Sequence, residues 1–266
     1  NTLDVSGGSE GRSTPLALTA ITEGIGVSTL ETVTWQTGCT ASSGKAAAQW
    51  GLLLAYHLSK NSTIKSLDLT GHKLGADAPF ELEEGSAAYL RESRTAAALG
   101  ASLRSHIHLT SLSLAGAGLH DAALGAAIAP IADHPTIAML DLSKSFIGRT
   151  AGKAIASLVA TSRTLSMLSL ANSEMCSEAF VMIGEALLLN ATLSSLDVSG
   201  NPIGVSDGIV EAEPPAAAEP SAEEGAEEGG EEDPKAAVTE PVEPMLPSVA
   251  SATILGKVFE LNRGLK

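Results

Sequence analysis

The residues that come nearest to catalytic chemistry lie in one short run, Gly38-Cys39-Thr40-Ala41-Ser42-Ser43-Gly44-Lys45-Ala46. Glycines ahead of a lysine let a phosphate-binding loop bring its backbone N–H groups onto a nucleotide. The lysine then reaches the phosphates, and a following Ser or Thr holds magnesium. Here one residue too many separates the glycines, and Ala46 stands where the magnesium ligand belongs. The run therefore reads as an enlarged loop between a strand and a helix. Ser42 and Lys45 also have the S-x-x-K spacing of an activated serine, but without the partner motifs which that chemistry uses. His106 and His108 would share a metal only from one face of a strand, and no acid or cysteine lies beside them to complete a ligand set. Cys39 and Cys176 lie far apart and form no disulfide framework, which fits a reducing compartment. No Ser/His/Asp arrangement can be assembled. The sequence thus predicts no catalytic residue, no cofactor and no metal.

The elements around these residues are written in a repeat. Ile137-Ala-Met-Leu140-Asp-Leu142, Leu165-Ser-Met-Leu168-Ser-Leu170 and Leu193-Ser-Ser-Leu196-Asp-Val198 are 28 residues apart, and Leu109-Thr-Ser-Leu112-Ser-Leu114 lies 28 residues earlier still. A fixed period of this length signals a solenoid. The x-L-x-L alternation has a period of 2 and reads as a short strand with one buried face. Counting back from the first leucine of the next copy, positions −10 and −6 are apolar: Leu54/Leu58, Leu99/Leu103, Ala127/Ile131, Ile155/Val159, Ile183/Leu187 and Leu255/Phe259. That i, i+4 pairing is a helix stripe facing the strands. Pro130 falls inside the fourth helix and should shorten or kink it. Position −3 is Asn at Asn61, Asn190 and Asn262, which suits a left-handed residue closing a helix. His106 and His134 share that phase and read as turn residues. One unit cannot bury its own apolar face, so the copies must stack.

In these motifs the chain resembles leucine-rich repeat proteins of the ribonuclease-inhibitor-like class, above all at Asn190-Ala-Thr-Leu193-Ser-Ser-Leu196-Asp-Val198-Ser-Gly-Asn201-Pro-Ile203-Gly204. The resemblance implies an α/β fold, a right-handed solenoid horseshoe with a parallel β-sheet on the concave side and helices on the convex side. It departs from the family at the eighth residue after the first leucine, where Asn is usual. Asn201 keeps it, but Gly38, His72, Ala117, Ser145 and Ser173 do not. Looser loop packing is the expectation. The glycosylation-like triplets at Asn61 and Asn190 follow from the repeat consensus at a helix end.

Both termini cut the repeat at the same phase, so residues 1–266 are expected to be a single repeat domain, a window from a longer array. The first leucines are spaced 34, 45, 28, 28, 28 and 72 residues apart. All three expansions fall between strand and helix, on one rim. Residues 77–94 form a loop insertion carrying Phe80, Leu82 and Tyr89 among acids. Residues 205–247 form an acidic insertion with 13 acids and one lysine, a net −12 of the chain's −15, leaving about −3 for the rest. So polar a single-sign run cannot offset its ordering entropy, and disorder is expected. Aromatics make up only 3% of the chain, and small helix residues should let helices stack closely. No apolar run reaches membrane-spanning length.

Between the strand leucines runs an inward column: Asp4, Thr34, Asp68, Ser113, Asp141, Ser169, Asp197. Its neighbour is Ser6, Gln36, Thr70, Ala115, Ser143, Ala171, Ser199. The inner surface is small, polar and mildly acidic. The reading is a non-enzymatic interaction scaffold in a cytoplasmic, cytoskeletal or ciliary setting, with no nucleic acid or membrane as partner. It would bind a protein partner with a basic surface through Asp68, Asp141, Asp197, Phe80, Leu82 and Tyr89, alongside the remaining repeats of the same chain. The alternatives are a Ran-type GTPase-activating protein, for which Arg149 lies in a strand-to-helix loop without a motif that assigns it a role, and the ligand-sensing region of a larger receptor or ciliary assembly subunit.

Overall fold

The computed structural model describes residues 1–4, 15–35, 44–72, 74 and 87–202, with only the backbone described at 15–18, 44–49 and 87–93. Strands and helices alternate: β1 (Thr2–Asp4), α1 (Pro15–Val27), β2 (Thr32–Thr34), α2 (Gly44–Leu58), β3 (Ser66–Asp68), α3 (Ala87–Arg104), β4 (Ser111–Ser113), α4 (Asp121–Ile128), β5 (Met139–Asp141), α5 (Arg149–Thr161), β6 (Met167–Ser169), α6 (Ser177–Leu187) and β7 (Ser195–Asp197). The seven strands form one open parallel sheet in sequence order, with helices alternating between them. This is the α/β horseshoe solenoid that the repeat implies. The register sets equivalent residues side by side: Leu3, Val33, Leu67, Leu112, Leu140, Leu168 and Leu196 form one row.

That row and the helix stripe meet in one core. Leu67, Leu112, Leu140 and Leu168 are buried, as are all five −10/−6 pairs from Leu54/Leu58 to Ile183/Leu187. Leu74, Leu119, Ile147 and Met175, at the tenth residue after each first leucine, close the core beneath the loops. Pro130 ends α4 at Ile128, and a 3₁₀ turn, Ala129–Ile131, follows. The missing N–H of proline forbids the α-helical bond it would have to donate. The helix α3 has 18 residues and starts at Ala87. The second half of the 77–94 insertion is therefore the extended start of a helix.

Two expectations are corrected. Asn61 and Asn190 are not left-handed helix closures. A left-handed position recurs instead at the seventh residue after the first leucine, at Gly71 (φ 76°), Gly116 (60°), Lys144 (57°), Asn172 (53°) and Gly200 (70°), with Gly118 (65°) and Glu174 (41°) two residues further on in their copies. Asn61 and Asn190 are buried bridges between repeats. The Asn190 amide donates to the Val159 carbonyl at 2.7 Å, and its Oδ1 accepts from the N–H groups of Thr192 and Leu193 at 2.9 and 2.7 Å. Asn61 does the same with Ile25, Thr63 and Ile64. A buried, fully bonded amide also explains why both positions carry the N-x-T triplet.

Nor are the loops loose where the usual Asn is lost among the described residues; Gly38 lies outside them. His72, Ala117, Ser145 and Ser173 are buried. Backbone bonds continue the sheet ladder past the strands: Leu114 N to Asp141 O at 2.9 Å, Gly116 N to Ser143 O at 2.8 Å, Leu142 N to Ser169 O at 2.9 Å and Lys144 N to Ala171 O at 2.9 Å. The peptide groups satisfy one another, so the Asn ladder is dispensable. Asn201 keeps the family's role, donating to Leu170 O at 2.8 Å and accepting from Ser173 N at 2.9 Å.

Candidate functional site: the concave face

Strand geometry turns alternate residues to opposite faces. In β3, β5 and β6 the middle leucine is buried while its neighbours reach the solvent side. The register aligns Asp4, Thr34, Asp68, Ser113, Asp141, Ser169 and Asp197 in one row across seven strands. The predicted inner column is therefore real, and it brings Asp68, Asp141 and Asp197 into line on alternate strands.

Each of these aspartates has a local task. Asp68 Oδ1 accepts from Thr70 N at 2.9 Å, Asp141 Oδ1 from Ser143 N at 2.9 Å and Asp197 Oδ1 from Ser199 N at 3.0 Å. Short polar side chains make this two-residue turn readily, which explains the D-x-S/T spelling. The Ser143 hydroxyl also donates to Asp141, and Ser143 Oγ and Ser169 Oγ are 2.7 Å apart on neighbouring repeats. Thr70 Oγ1 and Ser113 Oγ are 2.8 Å apart in the same way. The result is a ladder of hydroxyls and carboxylates: Asp68–Thr70–Ser113, then Asp141–Ser143–Ser169. Hydrogen bonds from Ser199 hold the Asp197 carboxyl below the usual carboxylate range. The row offers fixed negative charge and hydroxyls.

The remaining sequence candidates do not converge. Phe80 and Leu82 lie outside the described residues, as does the 205–247 insertion. Tyr89 falls in the first turn of α3, where only the backbone is described. Of the phosphate-loop look-alike, residues 38–43 lie outside, and Gly44, Lys45 and Ala46 begin α2. His106 is buried and His108 exposed, so the two rings do not share an environment. Arg149 is the first residue of α5 rather than a loop residue, and it pairs with Glu178 at 3.4 Å on the surface. Cys176 is half-buried and caps α6, its Sγ accepting from Ala179 N at 3.4 Å. Among the described residues no group of three His, Cys, Asp or Glu side chains is placed to hold a metal, and no helix is long and apolar enough to cross a membrane.

A second inward row was missed. It comprises Thr2, Thr32, Ser66, Ser111, Met139, Met167 and Ser195. Five members are Thr or Ser, while Met139 and Met167 are neighbours on β5 and β6 and are 39% and 43% exposed. The signal was present in M-L-D and M-L-S, one position before the buried leucine. Reading that row as well as the aspartate row would have found it.

Beneath the β2–β3 end lies a buried aromatic cluster. Trp35 meets Trp50 and His72 edge-on, each at 5.3 Å between centroids, and Trp50 stacks on His72 at 5.0 Å. Burial pushes the His72 pKa down to about 4, opposed by the Trp35 backbone and by the Asp68 charge. This cluster fills the core and lines no part of the concave face.

A Leucine Rich repeat family model matches residues 60–78 and 189–209, each beginning just after a helix and covering a strand and the turn that follows it. No curated protein matches the chain significantly. The two matched units lie at equivalent phases of the same seven-stranded stack, and together with that architecture they support a leucine-rich repeat protein.

Proposed function

We propose that the chain is a non-enzymatic protein–protein interaction scaffold of the ribonuclease-inhibitor-like class. Its partner presents a basic surface and docks on the concave face, through Asp68, Asp141 and Asp197, and on the strand-to-helix rim, through Phe80, Leu82 and Tyr89. One observation carries this reading: the strand register lines the three carboxylates up on a solvent-facing sheet whose inner strands are paired on both sides. Repeat solenoids offer such extended faces to other proteins, although fold alone does not name the partner. The acidic run at 205–247 adds long-range steering that salt weakens over about 8 Å.

The test is partner capture with the triple variant Asp68→Asn, Asp141→Asn, Asp197→Asn. Asparagine keeps an oxygen for the turn bond and removes the charge. Capture is expected to fall chiefly at low salt, while Phe80→Ala with Tyr89→Ala should lower it at every salt concentration. Undiminished capture by both variants would place the binding surface elsewhere.

A further inference from the structure

Met139 and Met167 break the composition of their row. At every other described strand that position carries a hydroxyl. The two thioethers sit on adjacent strands, about 4.8 Å apart in the pairing direction. Two residues further along, about 6.6 Å away, come Asp141 on β5, Ser169 on β6 and Asp197 on β7. The concave face at β5 and β6 thus carries a small apolar step bordered by two carboxylates. Exposed cations flank this strip in the loops, Lys144 after β5 and Arg163 before β6. Methionine is flexible and polarizable, and it is over-used where a surface must accept a partner's apolar side chain.

We propose that Met139 and Met167 are the apolar anchor of the concave face, and that the segment seated on it is a helix of a protein partner carrying an apolar side chain and a Lys or Arg at i, i+4. This rests on the scaffold reading and specifies its partner. The choice of a helix follows from the sheet: every inner strand is already paired on both sides, so a partner on its face meets side chains and not free backbone. Side chains four apart on a helix are about 5–6 Å apart, close to the methionine-to-aspartate step. The basic residue follows from Asp141 and Asp197. A second copy of the chain is a poor occupant, because it would set one acidic face against another in a protein of net charge −15.

The experiment pans a displayed library of helical peptides against the full chain. Enriched peptides should share an apolar residue and a Lys or Arg four positions apart. Their affinity should fall about tenfold or more for Met139→Gln with Met167→Gln, the loss typical of a hot spot, and recover with Met139→Leu and Met167→Leu. Asp141→Asn with Asp197→Asn should weaken binding several-fold and flatten its salt dependence. Leu52→Gln with Tyr56→Ala, on the helical face, should change nothing. Peptides without the basic residue, peptides that bind the glutamine variant at full affinity, no enrichment at all, or self-association abolished by the glutamine variant would each overturn the proposal. Peptides that need the aspartates but ignore the methionines would overturn the anchor and leave the scaffold reading standing.

Discussion

Lys144 holds a φ of 57° in a row whose other members are Gly71, Gly116, Asn172 and Gly200. The chain must turn sharply there to leave the strand and run beneath the rim, and a left-handed residue makes that turn. For an L-residue with a Cβ this costs roughly 1–2 kcal/mol; glycine escapes the cost, and asparagine tolerates it better than most. At Gly200 the demand is double, because an added Cβ would also collide with the Asn172 side-chain oxygen. Lysine has neither excuse. Lys144→Gly should therefore stabilise the fold by about 0.5–1 kcal/mol, the relieved strain less the extra freedom glycine gives the unfolded chain. Chemical denaturation measures this, and an unchanged or lowered midpoint would show that the Lys144 side chain makes up for its backbone. The strain sits at the exit of β5, the strand that presents Met139 and Asp141.

At the scale of elements, the helix ends explain how repeats are tied together. Asn61 and Asn190 bridge to the preceding repeat with every amide atom engaged. His106 and His134 occupy the same phase and face the Leu58 and Leu103 backbones of the preceding repeat, but their buried Nε2 atoms fall short of a full hydrogen bond. Burial lowers the pKa of both, as it does for His72. A histidine whose folded pKa lies below its unfolded value binds more protons when unfolded, so its contribution to stability is complete above about pH 6.5 and is lost as pH falls toward the folded value. For His72 the window runs from 6.5 down to about 4, and the loss across it is roughly 3 kcal/mol. His106 and His134 act in the same direction. Denaturant midpoints should fall steadily from pH 7 to pH 4.5, and His72→Gln should flatten that slope. Constant stability across the window would mean that the rings are not buried neutral in solution. How much of this could be read beforehand depends on what each signal encodes. Leucine spacing carried the strand order and helix stripes, since burial dictates residue type at every copy. The role of Asn61 is not legible in the sequence, because asparagine suits both a left-handed turn and an inter-repeat bridge, and only the stack decides. The tightness of the described loops is not legible either, because backbone bonds leave no mark on residue identity. The aspartate row was legible from periodicity, whereas Met139 and Met167 resemble ordinary apolar residues until the register turns them outward.

For the whole molecule, the spacing of the helices matters as much as that of the strands. At Gly100 in α3 an added Cβ would lie 2.5 Å from the Ala127 carbonyl oxygen of α4, and at Gly152 in α5 it would lie 2.7 Å from the Ala179 Cα of α6. The helices touch backbone to backbone at these points. Gly152→Val should therefore cost on the order of 1–3 kcal/mol, the usual penalty for overpacking. Thermal and urea unfolding would register it, and a neutral result would mean that α5 and α6 move apart freely. This contact also governs shape. Strands in a sheet are about 4.8 Å apart, and packed helices ordinarily sit about 8–10 Å apart. A repeat stack behaves like a bonded pair of strips of unequal length: it bends toward the shorter one, more sharply as the mismatch grows. By letting neighbouring helices approach this closely, Gly100 and Gly152 work against that bend where they stand. A larger residue at either site is therefore expected to tighten the arc as well as to cost stability.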